Sequence, residues 1–175
     1  MKKFVAILMA LCLLTAGAAL AEAAPELNWS DFEATLESTG VTGDFWTFDE
    51  VAVKIWLPAE LQPVELTEED KEKGFISYFT DAEEKASVSL VYVDMSGMSL
   101  EEYTEALNQT DGVDQVEIVV VNGLPAVSYT MPEQDSCHVA FTTEAGYILE
   151  VSMYPTSEEG ADVVWGIVAA SIQPE

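Results

Sequence analysis

The dipeptide Asn122-Gly123 stands between two apolar runs, residues 116–121 and 124–131. Asn-Gly is the strongest short-range indication of a two-residue β-hairpin, because both central positions of a type I′ turn need φ above zero. The segment therefore predicts two neighbouring antiparallel strands. The fold of the whole chain has to be built around such a pairing.

Other strands and helices are predicted on both sides of this hairpin. Apolar alternation and turn residues indicate further strands at residues 51–57, 75–80, 86–93, 137–143 and 147–153. Spacing and capping patterns indicate helices at residues 30–38, from Thr67 to Gly74 and from Ser99 to about Gln109, and a last one that carries Val164, Ile167, Val168 and Ile172. Two capping boxes are expected, one at Ser99 and Glu102 and one at Thr156 and Glu159.

This order of elements predicts an α+β fold with an antiparallel sheet of about six or seven strands. Tight turns join most of the strands, as in antiparallel sheets. The strands at residues 88–93 and 116–121 are apolar on both faces. Since an apolar face has to be covered, we expect helices on both sides of the sheet.

The N-terminal segment has the features of a bacterial secretory signal peptide. Lys2 and Lys3 precede an apolar run, and Ala19-Leu20-Ala21 provides the small residues of a cleavage site. We expect residues 1–21 to be removed and residues 22–175 to form a single extracytoplasmic domain. An uncleaved membrane anchor is the alternative. Lipidation at Cys12 is not expected, because Leu11 replaces the small residue that should precede it.

The charge of the chain excludes several kinds of partner. It contains 32 acidic residues, six lysines and no arginine, for a formal net charge of −26. Nucleic acids and anionic membrane surfaces would repel such a protein. The same charge favours a soluble monomer.

Four stretches of the chain are similar to exported bacterial proteins with no known activity. They are Thr47-Phe48-Asp49-Glu50, Gly97-Met98-Ser99-Leu100-Glu101-Glu102-Tyr103, Asn122-Gly123-Leu124 and Ala145-Gly146-Tyr147-Ile148-Leu149-Glu150-Val151. With the order of elements from Trp46 to Ile172, they resemble the PsbP-like fold, the α-β-α sandwich of extrinsic photosystem II subunits and of a Ran-binding nuclear-import factor. The resemblance implies a non-enzymatic extracytoplasmic module that contacts another protein. It transfers no functional residue.

Cys137 and His138 are the residue types of a nucleophile and its base. Neighbouring residues of a strand point to opposite faces, so we expect the two side chains to diverge. A structural cysteine is therefore the preferred interpretation, and a reactive thiol is the alternative. Carboxylate pairs such as Glu158 and Glu159 leave a hydrolase of unrecognised type as a third function, although adjacent acids are also typical of helix starts and turns.

Two acidic loops are candidates for weak calcium binding, because calcium prefers oxygen ligands. One contains Asp81, Glu83 and Glu84, and the other contains Asp111 and Asp114. Neither has the spacing of an EF-hand, and a polyanionic surface explains the acids equally well. A low-affinity calcium-responsive surface protein is thus the alternative to a binding module.

Aromatic residues suggest one further binding position. Trp56 lies on the same face of its predicted strand as Ala52 and Lys54, where an exposed indole would offer a platform for a ligand. Packing in the core is the more frequent role of a tryptophan in such a position. The sequence thus predicts an exported, non-enzymatic binding or accessory module without a cofactor.

Overall fold

The computed structural model describes residues 24–143 and 147–175, and its main feature is an eight-stranded mixed sheet. The strands are β1 (Glu26–Leu27), β2 (Gly43–Phe48), β3 (Val53–Pro58), β4 (Gln62–Pro63), β5 (Phe75–Thr80), β6 (Ser87–Asp94), β7 (Asp114–Val121), β8 (Leu124–Met131), β9 (Ser136–Thr142), β10 (Tyr147–Tyr154) and β11 (Gln173–Pro174). The helices are α1 (Trp29–Thr39), α2 (Glu68–Glu72), α3 (Leu100–Asn108) and α4 (Ala161–Ser171), with a 3₁₀ turn at Pro132–Gln134.

The main sheet has the strand order β1-β7-β8-β9-β10-β6-β5-β4, and a second sheet has the order β11-β3-β2. The prediction of six or seven antiparallel strands was therefore wrong in number and in direction, because β1 runs parallel to β7. The two-residue strands β1 and β4 are too short to show a sequence pattern. β2 was missed because most of its side chains are exposed, so it lacks a buried alternating face.

The central hairpin forms as predicted. Asn122 and Gly123 have φ values of 47° and 82°, which are the left-handed conformations of a type I′ turn. Val121 pairs with Leu124, and the ladder continues to Glu117 opposite Ser128. A bulge then shifts the register between Asp114 and Glu117.

Of the two predicted capping boxes, the one at Ser99 is confirmed and the one at Thr156 is wrong. Ser99 accepts the amide of Glu102 at α3, and Thr67 caps α2 in the same way. At α4 the N-cap is Gly160, with φ of 86° and no side-chain hydrogen bond. The hydroxyl of Thr156 instead donates to Asp135, so Thr156 and Glu159 do not form a capping box.

Both faces of the main sheet are covered, as the apolar strands require. The larger core packs one face against α4 and the second sheet, with Ile55, Leu57, Phe79, Ile167 and Val168 almost fully buried. The smaller core packs the other face against α3 through Leu100 and Leu107. Within residues 24–143 and 147–175, no helix combines the length and apolar character needed to cross a bilayer. The predicted signal peptide, residues 1–21, lies outside the described residues.

Candidate functional site

Acidic loops gather at one end of the main sheet. Because β7, β8, β9, β10, β6 and β5 are successively antiparallel, the segments at residues 81–86, 109–113, 132–135 and 155–160 all leave the sheet at the same end. We call this the acidic end. These segments and the first residue of β7 carry Asp81, Glu83, Glu84, Asp111, Asp114, Glu133, Asp135, Glu158 and Glu159, against the single lysine Lys85.

A groove of about 740 Å³ opens at the acidic end. We call it the docking groove. Its walls come from the end of α1, the loop after β3, the turn between β5 and β6, and the start of α4. The apolar lining includes Val41, Pro58, Leu61, Ala86, Val163, Val164 and Trp165, and the carboxylates at its edge are Glu60, Asp81, Glu158 and Glu159.

Asp135 fixes the wall that leads into α4. One of its carboxylate oxygens, Oδ1, accepts the backbone amides of Thr156 and Ser157 at 3.1 and 2.8 Å and the Thr156 hydroxyl at 2.8 Å. The other, Oδ2, accepts the Ser157 hydroxyl at 2.6 Å. Hydrogen bonds from Ser157 and then Thr156 hold the pKa of Asp135 below its ordinary value. Four bonds to one carboxylate hold this wall in place.

Asp81 fixes the opposite wall in a similar way. Its Oδ1 accepts the backbone amides of Lys85 and Ala86 at 2.6 and 2.9 Å. The hydrogen bond from the Ala86 amide, together with that from Lys85, holds the pKa of Asp81 below its ordinary value. Lys85 also lines the groove, and its ammonium group pairs with Glu83, a carboxylate that is not part of the lining.

The negative charge of Glu60, Glu158 and Glu159 at the groove edge is not balanced within the described residues. None of the three forms an ion pair there, and all three are exposed. The docking groove therefore combines an apolar floor with an anionic edge.

The structure does not bring the two predicted calcium loops together. Asp81, Glu83 and Glu84 lie in the turn after β5, whereas Asp111 and Asp114 lie at the start of β7. Five strand spacings separate β5 from β7 in the main sheet, which places the loops about 24 Å apart. Among residues 24–143 and 147–175, no three histidine, cysteine or acidic side chains are grouped so as to hold a metal ion.

Cys137 and His138 diverge as predicted. The Cys137 side chain packs against the larger core, where burial raises the pKa of its thiol to about 12. His138 points to the other face of the sheet and is 7% exposed. Because the two side chains leave opposite faces of the same strand, they do not form a Cys-His catalytic pair.

His138 belongs to a buried polar network that the sequence did not reveal. Its Nε2 lies 2.9 Å from Ser136 Oγ, and its Nδ1 lies 2.9 Å from Ser152 Oγ and 3.2 Å from Glu150 Oε1. The His138 ring also stacks on Tyr129, with ring centroids 4.5 Å apart. The i, i+2 spacing of Ser136 and His138 on one strand was the one available indication.

Glu150 is the centre of this network. Its Oε2 accepts the hydroxyls of Tyr129 at 2.6 Å and Tyr103 at 3.0 Å. Burial raises the pKa of Glu150, but hydrogen bonds from His138 and Tyr129 outweigh it, so the net pKa is below the ordinary value. Burial and the Glu150 charge together raise the pKa of Tyr103 to about 12.

Ser136, His138 and Glu150 make the contacts of a hydrolase triad, but the serine is not accessible to a substrate. Ser136 is 7% exposed and does not line the docking groove. A nucleophilic serine has to reach a substrate carbonyl. The network therefore serves to join α3, β8, β9 and β10.

Trp56 is buried instead of exposed. Only 4% of its surface is accessible, and its ring packs 6.5 Å from that of Trp29. The Trp29 ring of α1 packs on Trp56, and Ser171 Oγ of α4 accepts the Trp56 backbone amide at 2.9 Å. A ligand platform at Trp56 is thus excluded by its packing.

No protein-family model and no curated protein matches the sequence of the chain. Solved structures do match it in fold. The solution structure of cyanobacterial PsbP (CyanoP) from Synechocystis sp. PCC 6803 has a TM-score of 0.55 and 11% identity, covering 77% of this chain and 94% of that chain. On this structural likeness, the chain has a PsbP-like fold.

Proposed function

We propose that the protein is a non-catalytic accessory module that binds a segment of another protein in the docking groove. The observation that carries this proposal is the groove itself, about 740 Å³ in volume, with an apolar floor between two hydrogen-bonded walls. A preformed groove lowers the entropic cost of binding. The PsbP-like fold, typical of extrinsic accessory proteins, supports the proposal.

The chemistry of the groove indicates the kind of segment that it would bind. Val163 and Val164 offer a partly exposed apolar surface, while Glu60, Glu158 and Glu159 surround it with negative charge. An apolar side chain flanked by lysine or arginine complements both features. With the predicted signal peptide, this suggests a basic segment of an envelope or extracellular protein.

The experiment measures binding of a short synthetic peptide that has two leucines flanked by lysines. A control peptide carries glutamate in place of each lysine. We expect the lysine peptide to shift the NMR signals of Val163, Val164 and the Trp165 indole in the ¹⁵N-labelled full chain. The glutamate peptide should leave these signals unchanged, because the groove edge repels it.

A matched pair of variants separates groove binding from general attraction to an acidic surface. Val163→Arg places a cation in the groove, and Ile118→Arg adds the same charge at an apolar residue of β7 that is 38% exposed. We expect Val163→Arg to weaken peptide binding about tenfold, and Ile118→Arg to change it less than about twofold. Equal losses in both variants would show that the peptide follows net charge, and the proposal would then be wrong.

A further inference from the structure

A second cavity lies beneath α4, and Trp165 lines both this cavity and the docking groove. It has a volume of about 330 Å³ and lies between α4, β1 and the part of the main sheet formed by β7, β8 and β9. An apolar cavity of about 150 Å³ is large enough to hold benzene. The cavity beneath α4 therefore has room for a molecule of about two rings.

The walls of this cavity are mostly apolar. Val119, Val139 and Met153 are buried contributors from the sheet, and Trp165 and Ala169 come from α4. The Trp165 indole N–H donates to the carbonyl of Pro155, so the ring is held in one orientation. A rigid aromatic wall is a favourable surface for both apolar groups and cations.

Two carboxylates give the cavity a charge preference. Glu117 of β7 and Asp162 of α4 contribute to its lining, and both residues are exposed. Neither forms an ion pair within residues 24–143 and 147–175, and no lysine lines the cavity. The hydroxyls of Ser128 and Thr130 add hydrogen-bond acceptors.

The bulge in β7 lies beside these groups. Gln115, with φ of 53°, lines the cavity, and the register shift occurs between Asp114 and Glu117. A bulge bends its strand and redirects the neighbouring side chains, which is why bulges are frequent next to binding sites. Here it lies directly before Glu117, one of the two acidic lining residues.

We propose that the cavity beneath α4 binds a small organic cation, an aromatic or aliphatic body with one ammonium group. The body occupies the apolar walls, and the ammonium group lies toward Glu117 and Asp162. Trp165 is shared with the docking groove, but the proposal rests on Glu117, Asp162 and the cavity walls and not on the function proposed for that groove.

The test uses three compounds with the same apolar body. They are 3-phenylpropylamine, the neutral 3-phenylpropanol and the anionic 3-phenylpropanoate. The readout is the ¹³C-methyl signal of Met153 in the full chain, assigned through Met153→Leu, because this side chain is 2% exposed and lines the cavity. We expect the amine to shift this signal and to bind about tenfold more tightly than the alcohol. The anion should leave the signal unchanged.

Paired substitutions test the role of the two carboxylates. In Glu117→Gln/Asp162→Asn we expect the preference for the amine over the alcohol to fall below about twofold, while alcohol binding is retained. Glu101→Gln/Glu105→Gln removes the same charge from exposed positions of α3, on the other face of the main sheet, and should preserve the preference.

Three results would overturn the proposal. The first is that no compound moves the Met153 signal. The second is that all three compounds bind equally, which would indicate an apolar cavity without charge recognition. The third is that both paired variants reduce amine binding to the same extent, which would indicate attraction to the net charge of the protein alone.

Discussion

Glu150 is the residue whose environment departs most from that of an ordinary surface acid. It accepts hydrogen bonds from Tyr103, Tyr129 and Ser152, and it contacts His138. Hydrogen bonds to a charged group are stronger than neutral ones, and removing one partner leaves the others unsatisfied. The hydrogen bonds of this network therefore stabilise the fold.

We expect Glu150→Gln to lower the free energy of unfolding by about 2 kcal/mol at neutral pH, because the charge-assisted bonds are lost. The folded-state pKa of Glu150 lies below its ordinary value of 4.5, so the stabilisation is present above pH 4.5 and is lost as the pH falls through the folded-state pKa. The difference between wild type and variant should therefore shrink in acid.

Urea unfolding at a series of pH values from neutral to acid measures this difference. Glu105→Gln is the control, since Glu105 is exposed on α3 and should change the free energy by less than about 0.5 kcal/mol throughout. A wild-type to Glu150→Gln difference that grows on acidification would contradict the role assigned to the carboxylate.

Asn122 has a second role beyond the turn that the sequence predicted. Its Oδ1 accepts the Trp29 amide at 2.9 Å, and its Nδ2 donates to the carbonyls of Ala170 and Ile172 at 2.7 Å each. One side chain thus joins the central hairpin to the start of α1 and the end of α4. Asn-Gly predicts the hairpin, but these partners are distant in sequence and were not predictable.

Two substitutions separate the roles of Asn122. Asn122→Gly keeps the backbone free to adopt φ of 47° and removes only the side-chain bonds, with an expected cost of about 2 kcal/mol. Asn122→Ala also imposes left-handed strain, with an expected further cost of about 1 kcal/mol. Thermal unfolding of both variants measures these costs, and an Asn122→Gly protein as stable as wild type would show that the side-chain bonds contribute nothing.

At the scale of elements, the sequence was informative wherever a local pattern decided the structure. The strand predicted at residues 75–80 and the capping box at Ser99 are confirmed. The capping box predicted at the start of α4 was wrong, because the Thr156 hydroxyl donates to Asp135 at the end of the sheet and does not cap the helix. Local patterns lose their value where a tertiary hydrogen bond competes for the same side chain.

Substitution by alanine should have opposite effects on stability at Gly166, inside α4, and at Gly160, its N-cap. A Cβ at Gly166 would lie 3.8 Å from the Phe32 ring, which is ordinary contact distance. Because glycine disfavours a helix interior, Gly166→Ala should raise the free energy of unfolding by about 0.5–1 kcal/mol. Gly160, with φ of 86°, is the contrasting position, where alanine should destabilise by about 1 kcal/mol. Paired urea titrations measure both changes, and destabilisation by Gly166→Ala would mean that α1 cannot accommodate the added methyl group.

At the scale of the whole molecule, neither the docking groove nor the cavity beneath α4 was predictable. The docking groove joins α1, the loop after β3, the turn after β5 and the start of α4, which are far apart in the chain. No periodicity or motif records that these segments meet. The excess of acids was evident from composition, whereas its concentration at one end of the sheet follows from the strand order.

The net charge of −26 predicts how the molecule responds to salt. Like charges repel in the compact state, and the screening length falls from about 30 Å at 0.01 M to about 3 Å at 1 M. We therefore expect the melting temperature to rise as sodium chloride is added at constant pH. Calorimetry of the full chain at increasing salt measures this rise.

Comparing calcium with sodium chloride tests whether the acidic residues bind calcium specifically or respond only to ionic strength. The Oδ1 of Asp81 already accepts two backbone amides, and the other acidic loop lies about 24 Å away, so one ion cannot bridge the two loops. At matched ionic strength, we expect calcium chloride to raise the melting temperature no more than sodium chloride does. A calcium-specific rise of about 5–10 °C would correspond to binding at about 100 times the dissociation constant. That result would favour a calcium-responsive protein, because screening alone does not distinguish the ions so strongly.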